Sequence, residues 1–343
     1  MLKGLTSRRE AVLKIIVSEY IDTAIPVASE TIFRNYKLGV SPATIRNDMA
    51  YLEAEGYIVR PHTSAGSVPL DKGYRLYVES LTRKTELDQQ EQDRIKKLFR
   101  EVEKEFEKWL KLAAAIAASL VKNAALVTVP KPRECRFKHV ELVALQESMA
   151  LMVLVLSQAI LKRHILSFAQ PITQERLAII SNKLNTILAG LTSSEIMARR
   201  AQLSREEAQV SEAVVDMMSA EDEMEYEQPY LEGLRLMLGQ PEFAEKDRML
   251  SIMELMETRD WLSSAFGRRP EKLGVQVVIG GENQNKILRD LSLVFSRYGI
   301  PDQMGGTIGI IGPTRMNYRR AISTVDYISR ILSDLVAGAV RNV

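Results

Sequence analysis

The stretch SPATIRNDMAYLEAEG, residues 41–56, decides the fold at the N-terminal end of this chain. Ser41 is a typical N-cap residue, and Pro42 suits the first position of a helix. Three apolar residues then recur with helical spacing and predict one buried stripe: Ile45, Met49 and Leu52. Gly56 is a stop signal at the C-terminal end. The stretch therefore predicts a well-marked helix with one face left for other contacts.

Two further helices and a hairpin surround this helix in the sequence. Residues 7–23 predict a first helix, in which Ser7 and Glu10 have capping-box spacing, and residues 28–36 predict a short second helix. Beyond Gly56, two β-prone runs flank a polar loop that contains glycine and predict a hairpin. Three short helices followed by a hairpin outline a winged helix-turn-helix, a fold that places one helix in the major groove of DNA.

The side chains of the third helix that lie off the apolar stripe are candidates for reading bases. Arg can pair with guanine, and Asn with adenine, through two hydrogen bonds each. These candidates are Thr44, Arg46, Asn47, Ala50 and Tyr51. Candidates for contacts from the wing or to the DNA backbone are Ser41, Arg60, His62, Thr63, Ser64, Gly66, Ser67, Lys72, Arg75, Arg8, Arg9 and Lys37. The alternative is a set of ordinary solvated polar residues.

The rest of the chain has the pattern of an α+β domain. A helical segment at 86–122 connects it to the N-terminal part. Predicted strands lie at 126–129, 140–145, 149–156, 275–279 and 307–311, and predicted helices at 174–188, 284–298 and 318–337. Residues 204–260 are helical in pattern and strongly acidic, with 5 Lys/Arg against 16 Asp/Glu. Strands before and after this segment indicate one α+β domain with an insertion.

Methionine is concentrated in the acidic segment. Seven of the 14 methionines lie between residues 217 and 256, and methionine adapts well to apolar contact surfaces. The predicted homodimer interface contains Met217, Met218, Met237, Met249, Met253 and Met256. The alternative is an internal core. A two-fold dimer would suit an inverted repeat in double-stranded DNA.

Composition excludes several other classes of protein. The single cysteine, Cys135, excludes a disulfide framework and fits a reducing cytoplasm. The longest apolar stretches are too short to span a membrane, and the N-terminus has no secretory signal, so we expect a cytoplasmic protein without a membrane partner. The three histidines lack metal-ligand spacing, and the glycines at 305–312 fit neither a Walker loop nor a dinucleotide-binding motif. We expect no enzymatic activity, no metal and no cofactor.

Several motifs together resemble the HrcA family of heat-inducible transcription repressors of bacteria. The motifs are SPATIRNDM (41–49), LEAEGY (52–57), PHTSAG (61–66), DKGYR (71–75), VIGGEN (278–283) and GPTRMNY (312–318). The resemblance runs from Leu5 to Leu335, although residues 190–265 carry no matching motif. Ser67 and Gly281 depart from the family's pattern, but neither lies on the third helix.

The resemblance implies an organisation and a function. The parts would be a winged-helix domain at 1–85, a connecting helix at 86–122, a discontinuous GAF-like domain at 123–190 and 266–343, and an inserted, mostly helical dimerising domain at 191–265. The function would be repression of chaperonin and chaperone operons through an inverted-repeat operator. The GroE chaperonin would maintain activity, which heating would remove. A regulator gated by a small molecule in the GAF-like domain is the alternative.

Overall fold

The computed structural model describes residues 5–62, 65–81, 86–102, 105–132, 134–157, 160–199, 203–223, 229–258, 261–262, 265, 274–301 and 303–341. The chain divides into two compact units. The first unit comprises Met1–Pro130, Tyr226–Pro301 and Gly305–Val343, and the second comprises Lys131–Glu225 and Asp302–Met304. None of the helices within the described ranges has both the length and the apolar character needed to cross a membrane.

The first unit begins with the predicted winged helix-turn-helix. Its elements are α1 (Ser7–Thr23), α2 (Ser29–Asn35), α3 (Pro42–Ala54), β1 (Ile58–Val59) and β2 (Val68–Pro69). The antiparallel hairpin pairs Ile58 with Pro69. An isolated antiparallel bridge between Val27 and Ser67 joins the wing to the segment between α1 and α2.

The beginning of α1 differs from the prediction by one residue. The N-cap is Thr6, whose hydroxyl accepts a hydrogen bond from the N–H of Arg9 at 3.4 Å. Ser7 is the first helical residue, so the predicted capping box of Ser7 and Glu10 is wrong. Adjacent hydroxyl residues at the start of a helix offer two cap positions, and the spacing alone does not choose between them.

A mixed helical and sheet body completes the first unit. Its elements are α4 (Asp71–Leu81), α5 (Gln89–Glu101), α6 (Phe106–Val121), β3 (Ala124–Val127), β8 (Tyr230–Glu232), α10 (Leu234–Leu238), α11 (Lys246–Glu257), β9 (Gln276–Ile279), β10 (Leu291–Ile300), β11 (Met304–Pro313) and α12 (Tyr318–Arg341), with 3₁₀ turns at Pro241–Phe243, Gly280–Glu282 and Lys286–Asp290. The strands lie in the order β8-β3-β11-β10-β9. Helix α6 packs on β3, α12 packs on β10, and the two helices contact each other. A separate apolar cluster that includes Phe243 and Trp261 also packs against these strands. The central strands are therefore buried on both faces.

The second unit is a three-stranded sheet with helices packed against it. Its elements are β4 (Lys131–Pro132), β5 (Phe137–Gln146), β6 (Met149–Leu156), β7 (Leu161–Ser167), α7 (Gln174–Leu188), α8 (Ser193–Ala198) and α9 (Arg205–Glu223). The antiparallel sheet has the order β5-β6-β7. Helix α7 packs on β5 and on α9, and α8 packs on α9. Strand β6 alternates between buried and half-buried side chains, so one face of the sheet meets the core and the other is open.

One predicted helix is a strand in the structure. The helix predicted at 284–298 is replaced by the 3₁₀ turn at Lys286–Asp290 and by β10. Six consecutive residues at the start of β10 are buried. A strand covered on both faces carries a continuous apolar run instead of alternation, and a run of this kind cannot be told from a buried helix by periodicity.

The two compact units also differ from the predicted domains. The predicted boundary at residue 190 lies inside the second unit, because α7 and α9 share one core. Leu177 and Leu184 of α7 and Val214 of α9 belong to this core and are fully buried. Glu207 and Glu221 of α9 are themselves buried, so the acidic composition that begins at residue 204 does not mark the edge of a compact unit.

Candidate nucleic-acid interface

The third helix presents its two faces as the sequence predicts. Ile45 and Leu52 are fully buried, and Met49 is 5% exposed. The Ser41 hydroxyl caps the helix by accepting the N–H of Thr44 at 3.2 Å. The opposite face is exposed at the candidate base-reading residues Arg46, Asn47 and Ala50, while Thr44 and Tyr51 are half-buried. This face is called the reading face below.

The side chains of Arg46 and Asn47 are free to reach a ligand. Within the part of the chain that the structure describes, neither side chain makes a hydrogen bond or an ion pair. The positive end of the helix dipole lies at the N-terminal turn capped by Ser41. The reading face therefore combines a cation, an amide and the positive end of a helix, a combination that suits a polyanion with hydrogen-bonding edges.

A buried carboxylate behind the reading face holds two of the predicted DNA-contact residues. Asp48 is 2% exposed. Arg8 donates from Nε to its Oδ2 at 2.6 Å, and Arg9 donates from Nε to its Oδ1 at 3.2 Å. These hydrogen bonds, that of Arg8 above all, lower the pKa of Asp48. The Arg9 guanidinium also lies 3.6 Å from the ring centre of Tyr51. Arg8 and Arg9 thus tie α1 to α3.

Sequence reasoning missed the role of Asp48. The signal was present, because Asp48 follows Ile45 by three residues and therefore falls on the buried stripe of α3. A buried carboxylate needs partners, and the arginines at the start of α1 were the available ones.

The predicted contact residues of the wing differ in their exposure and in their contacts. Arg60 binds Glu53 through Nη2 and Oε2 at 2.8 Å, and His62 is exposed. Thr63 and Ser64 lie outside the described residues. Ser67 has no exposed surface and exchanges backbone hydrogen bonds with Val27 at 2.9 Å. The predicted DNA contact by Ser67 is therefore contradicted by its burial.

Gly66 was expected to let DNA approach the backbone, but the structure gives it an internal role. A Cβ atom at this position would lie 2.5 Å from the backbone oxygen of Pro26. Only glycine allows the wing to pack so closely on the turn between α1 and α2.

The candidates on α4 are directed towards their own chain. Lys72 donates from Nζ to the backbone oxygen of Glu55 at 2.7 Å and is otherwise exposed. Arg75 donates from Nε to Oε1 of Glu282 at 2.7 Å and from Nη2 to the backbone oxygen of Val277 at 2.8 Å. These partners hold the Arg75 guanidinium, so Arg75 is not available for the DNA contact that the sequence predicts. Lys37, beyond the end of α2, is exposed as expected.

The six methionines of the predicted subunit interface are divided between the two compact units. Met217 and Met218 lie in the second unit and the other four lie in the first. Met218 and Met237 are fully buried in separate cores, so they cannot line a contact between subunits. Met217 and Met256 pack against these same cores, Met249 is half-buried, and Met253 is 39% exposed. The density of methionine in this segment therefore reflects core filling at Met218 and Met237.

Comparisons with known proteins agree with this geometry. The family model of the HrcA protein C-terminal domain matches residues 107–322, and a DeoR-like helix-turn-helix domain matches residues 36–69. The chain is 45% identical over 333 residues to a heat-inducible transcription repressor HrcA of Dehalococcoides mccartyi, with 97% of this chain and 96% of that protein covered. It is 41% identical over 350 residues to the protein of the same name from Chloroflexus aggregans, with 97% and 93% covered.

A solved structure shares the fold. The crystal structure of a hypothetical protein at 2.2 Å resolution superposes with a TM-score of 0.62 and 24% identity. The match covers 98% of this chain and 99% of that chain. The overall arrangement of elements therefore has an experimental counterpart.

Proposed function

Because the chain belongs to the HrcA family of heat-inducible transcription repressors, we propose that it represses chaperonin and chaperone operons by binding an inverted-repeat operator as a homodimer in the cytoplasm. The observation that carries the proposal is the pair of exposed side chains, Arg46 and Asn47, on a capped helix whose other face is anchored in a core. An exposed pair of this kind on a helix-turn-helix is suited to reading base edges.

The recognition step follows from the chemistry of the reading face. Helix α3 enters the major groove, where Arg46 donates two hydrogen bonds to O6 and N7 of guanine, and Asn47 pairs with N6 and N7 of adenine. The small side chain of Ala50 allows close approach to the bases. Lys37 and His62 contact phosphates beside the groove, and these contacts supply affinity that falls with salt.

An inverted repeat requires two reading faces related by a two-fold axis. We place the contact between subunits on the open face of the sheet in the second unit, and its occupant is a second copy of this chain. The centre of this face consists of half-buried Leu151, Val153 and Val155 on β6. Exposed apolar residues on the flanking strands extend it: Val143 is 42%, Leu161 57% and Ile165 53% exposed.

Charge complementarity supports pairing of this sheet face with itself. Val153 pairs with Glu141 on one side and with Arg163 on the other, so the three residues form one row across the sheet. A two-fold axis along β6 would place β5 of one copy over β7 of the other. Glu141 would then face the partner's Arg163, twice in each dimer.

Loss of activity on heating follows from the need for two correctly placed reading faces. Native domains are stable by only about 5–15 kcal/mol, so moderate warming can unfold one part and separate the half-site contacts. The GroE chaperonin would then restore the folded repressor. The test is operator binding after heat treatment with and without added chaperonin, and equal recovery in both would reject this part of the proposal.

Footprinting of the purified protein on genomic DNA tests the proposed function. The expected result is protection of an inverted repeat upstream of chaperone genes, with half-sites about one helical turn or a multiple of it apart. Protection of direct repeats, or no discrete site, would contradict it.

Sedimentation of the Val153→Arg variant tests the dimer surface, because a charge in the middle of the apolar face should yield monomers. Lys138→Ala, at an exposed position on β5, serves as the control that remains dimeric.

A further inference from the structure

Two motifs that are about 200 residues apart in sequence meet in the first unit. The carboxylate of Asp71, at the start of α4, accepts the N–H of Gly281 at 2.7 Å. One turn of helix further on, Arg75 binds the Glu282 carboxylate through two guanidinium nitrogens and also reaches the Val277 backbone oxygen. The helix that follows the wing is therefore fastened to the turn that follows β9.

The turn is shaped to receive this helix. Gly280 has a φ of +50°, and a Cβ there would lie 2.4 Å from Oδ1 of Asp71. The buried Asn283 side chain donates to the backbone oxygens of Gly280, Leu288 and Leu291 at 2.8, 2.9 and 3.0 Å. Because the amide fixes the loop from inside, the turn keeps its shape and can hold α4 in a defined place.

A second anchor lies at the other end of the winged helix. Arg315, with a side chain that is 14% exposed, donates from Nη1 to the backbone oxygen of Ile21 near the C-terminal end of α1 at 2.8 Å. Its Nε binds Oε1 of Glu242 at 2.5 Å. The buried rings of Tyr74 and Tyr318 add an aromatic contact, with centroids 5.8 Å apart.

One anchor would act as a hinge, but two separate anchors prevent rotation. Helix α1 packs on α3 and on α4, so fixing both α1 and α4 also fixes the direction of the reading face. Bidentate pairs between arginine and carboxylate restrict orientation as well as distance.

We propose that Arg75, Glu282 and Arg315 are positioning residues that set the spacing between half-sites which the dimer accepts. This inference rests on the proposed function, since spacing has meaning only for a dimer on an inverted repeat. None of the three residues contacts DNA. They act by holding each reading face at a fixed angle to the sheet of the first unit.

The test compares Arg75→Met and Glu282→Gln with the unaltered protein on three kinds of duplex. These are a single half-site, the inverted repeat found by footprinting, and repeats lengthened or shortened by one, two and five base pairs. The unaltered protein should bind the inverted repeat with its natural spacing at least about tenfold more tightly than the lengthened or shortened repeats. Both variants should bind the half-site within about twofold of the unaltered protein and lose most of the spacing preference.

The two variants change charge in opposite directions, which separates positioning from direct contact. If Arg75 bound phosphate, Arg75→Met would weaken half-site binding while Glu282→Gln would not, and the inference would be wrong. Retention of the full spacing preference by both variants would also overturn it. If the unaltered protein binds inverted repeats no better than single half-sites, the proposed function itself fails. Glu254→Gln, at an exposed position on α11, is the matched control, and urea unfolding of every variant confirms a folded protein.

Discussion

Replacement of Arg46 by alanine isolates the contribution of the reading face to sequence recognition. In the part of the chain that the structure describes, the Arg46 side chain contacts no ionic or hydrogen-bonding partner, and alanine favours a helix. The substitution should therefore leave the free energy of unfolding within about 0.5 kcal/mol. Its whole effect should fall on binding.

The magnitude follows from the symmetry of the complex. Loss of a bidentate contact with guanine costs about 1–3 kcal/mol. A dimer loses this contact in both half-sites, which gives about 2–6 kcal/mol for the operator. At 1.4 kcal/mol for each factor of ten, affinity should fall between about 30-fold and about 10⁴-fold. Binding to unrelated DNA should fall far less.

The assay is a fluorescence anisotropy titration of operator and scrambled duplexes at constant salt. Arg330→Ala is the control, because Arg330 is an exposed arginine on α12 that pairs with Asp326 on its own helix. Equal operator affinity for Arg46→Ala and the unaltered protein would refute base reading by α3. An equal loss on operator and scrambled duplexes would reduce Arg46 to a phosphate contact.

Three further predictions concern Asp48, two contrasting glycines and Lys37. Asp48→Asn should lower the urea-unfolding free energy by about 1–2 kcal/mol at pH 7. Because Arg8 and Arg9 lower the pKa of Asp48, the stabilisation by the Asp48 carboxylate is complete above the ordinary carboxyl pKa and disappears as the pH falls through the lowered value. A difference between the variant and the unaltered protein that persists undiminished in strong acid would contradict this. Gly66→Ala should lower the free energy of unfolding by about 1–3 kcal/mol, since a Cβ at this position meets the Pro26 backbone. Gly338→Ala, in open space on α12, should instead raise it by about 0.5–1 kcal/mol, and thermal unfolding measures both changes. Lys37→Ala should reduce the slope of log K against log salt by about one for each half-site while leaving sequence preference intact; an unchanged slope would remove Lys37 from the interface.

The winged helix-turn-helix could be predicted from sequence because its signals are local. The Ser41 cap, the apolar stripe of α3 and the glycine-bearing loop of the wing act within a few residues of each other, and the structure has the predicted elements there. What the side chains of Arg60, Ser67 and Arg75 do could not be predicted, since each depends on a partner elsewhere in the fold. A basic residue has the same sequence signal whether it binds a phosphate or, as Arg75 does with Glu282, a carboxylate of its own chain.

The body of the protein shows a second limit. Strand β10 has no alternation, because helices and apolar clusters cover both of its faces, and it was predicted as a helix. The predicted subunit interface includes Met218 and Met237, which are buried in two separate cores. Residue type indicated burial correctly, but it carried no information on whether the covering atoms belong to the same chain.

The pairing of β3 with β8 has a practical consequence for dissecting this protein. Val127 and Tyr230 are direct partners in the sheet, so their Cα atoms are only about 5 Å apart, although 102 residues separate them in sequence. A short loop could connect these two strands and replace residues 128–229. If the second unit makes the proposed contact between subunits, this shortened chain would bind DNA as a monomer, and another dimerising module inserted at the same point would set a new distance between two reading faces.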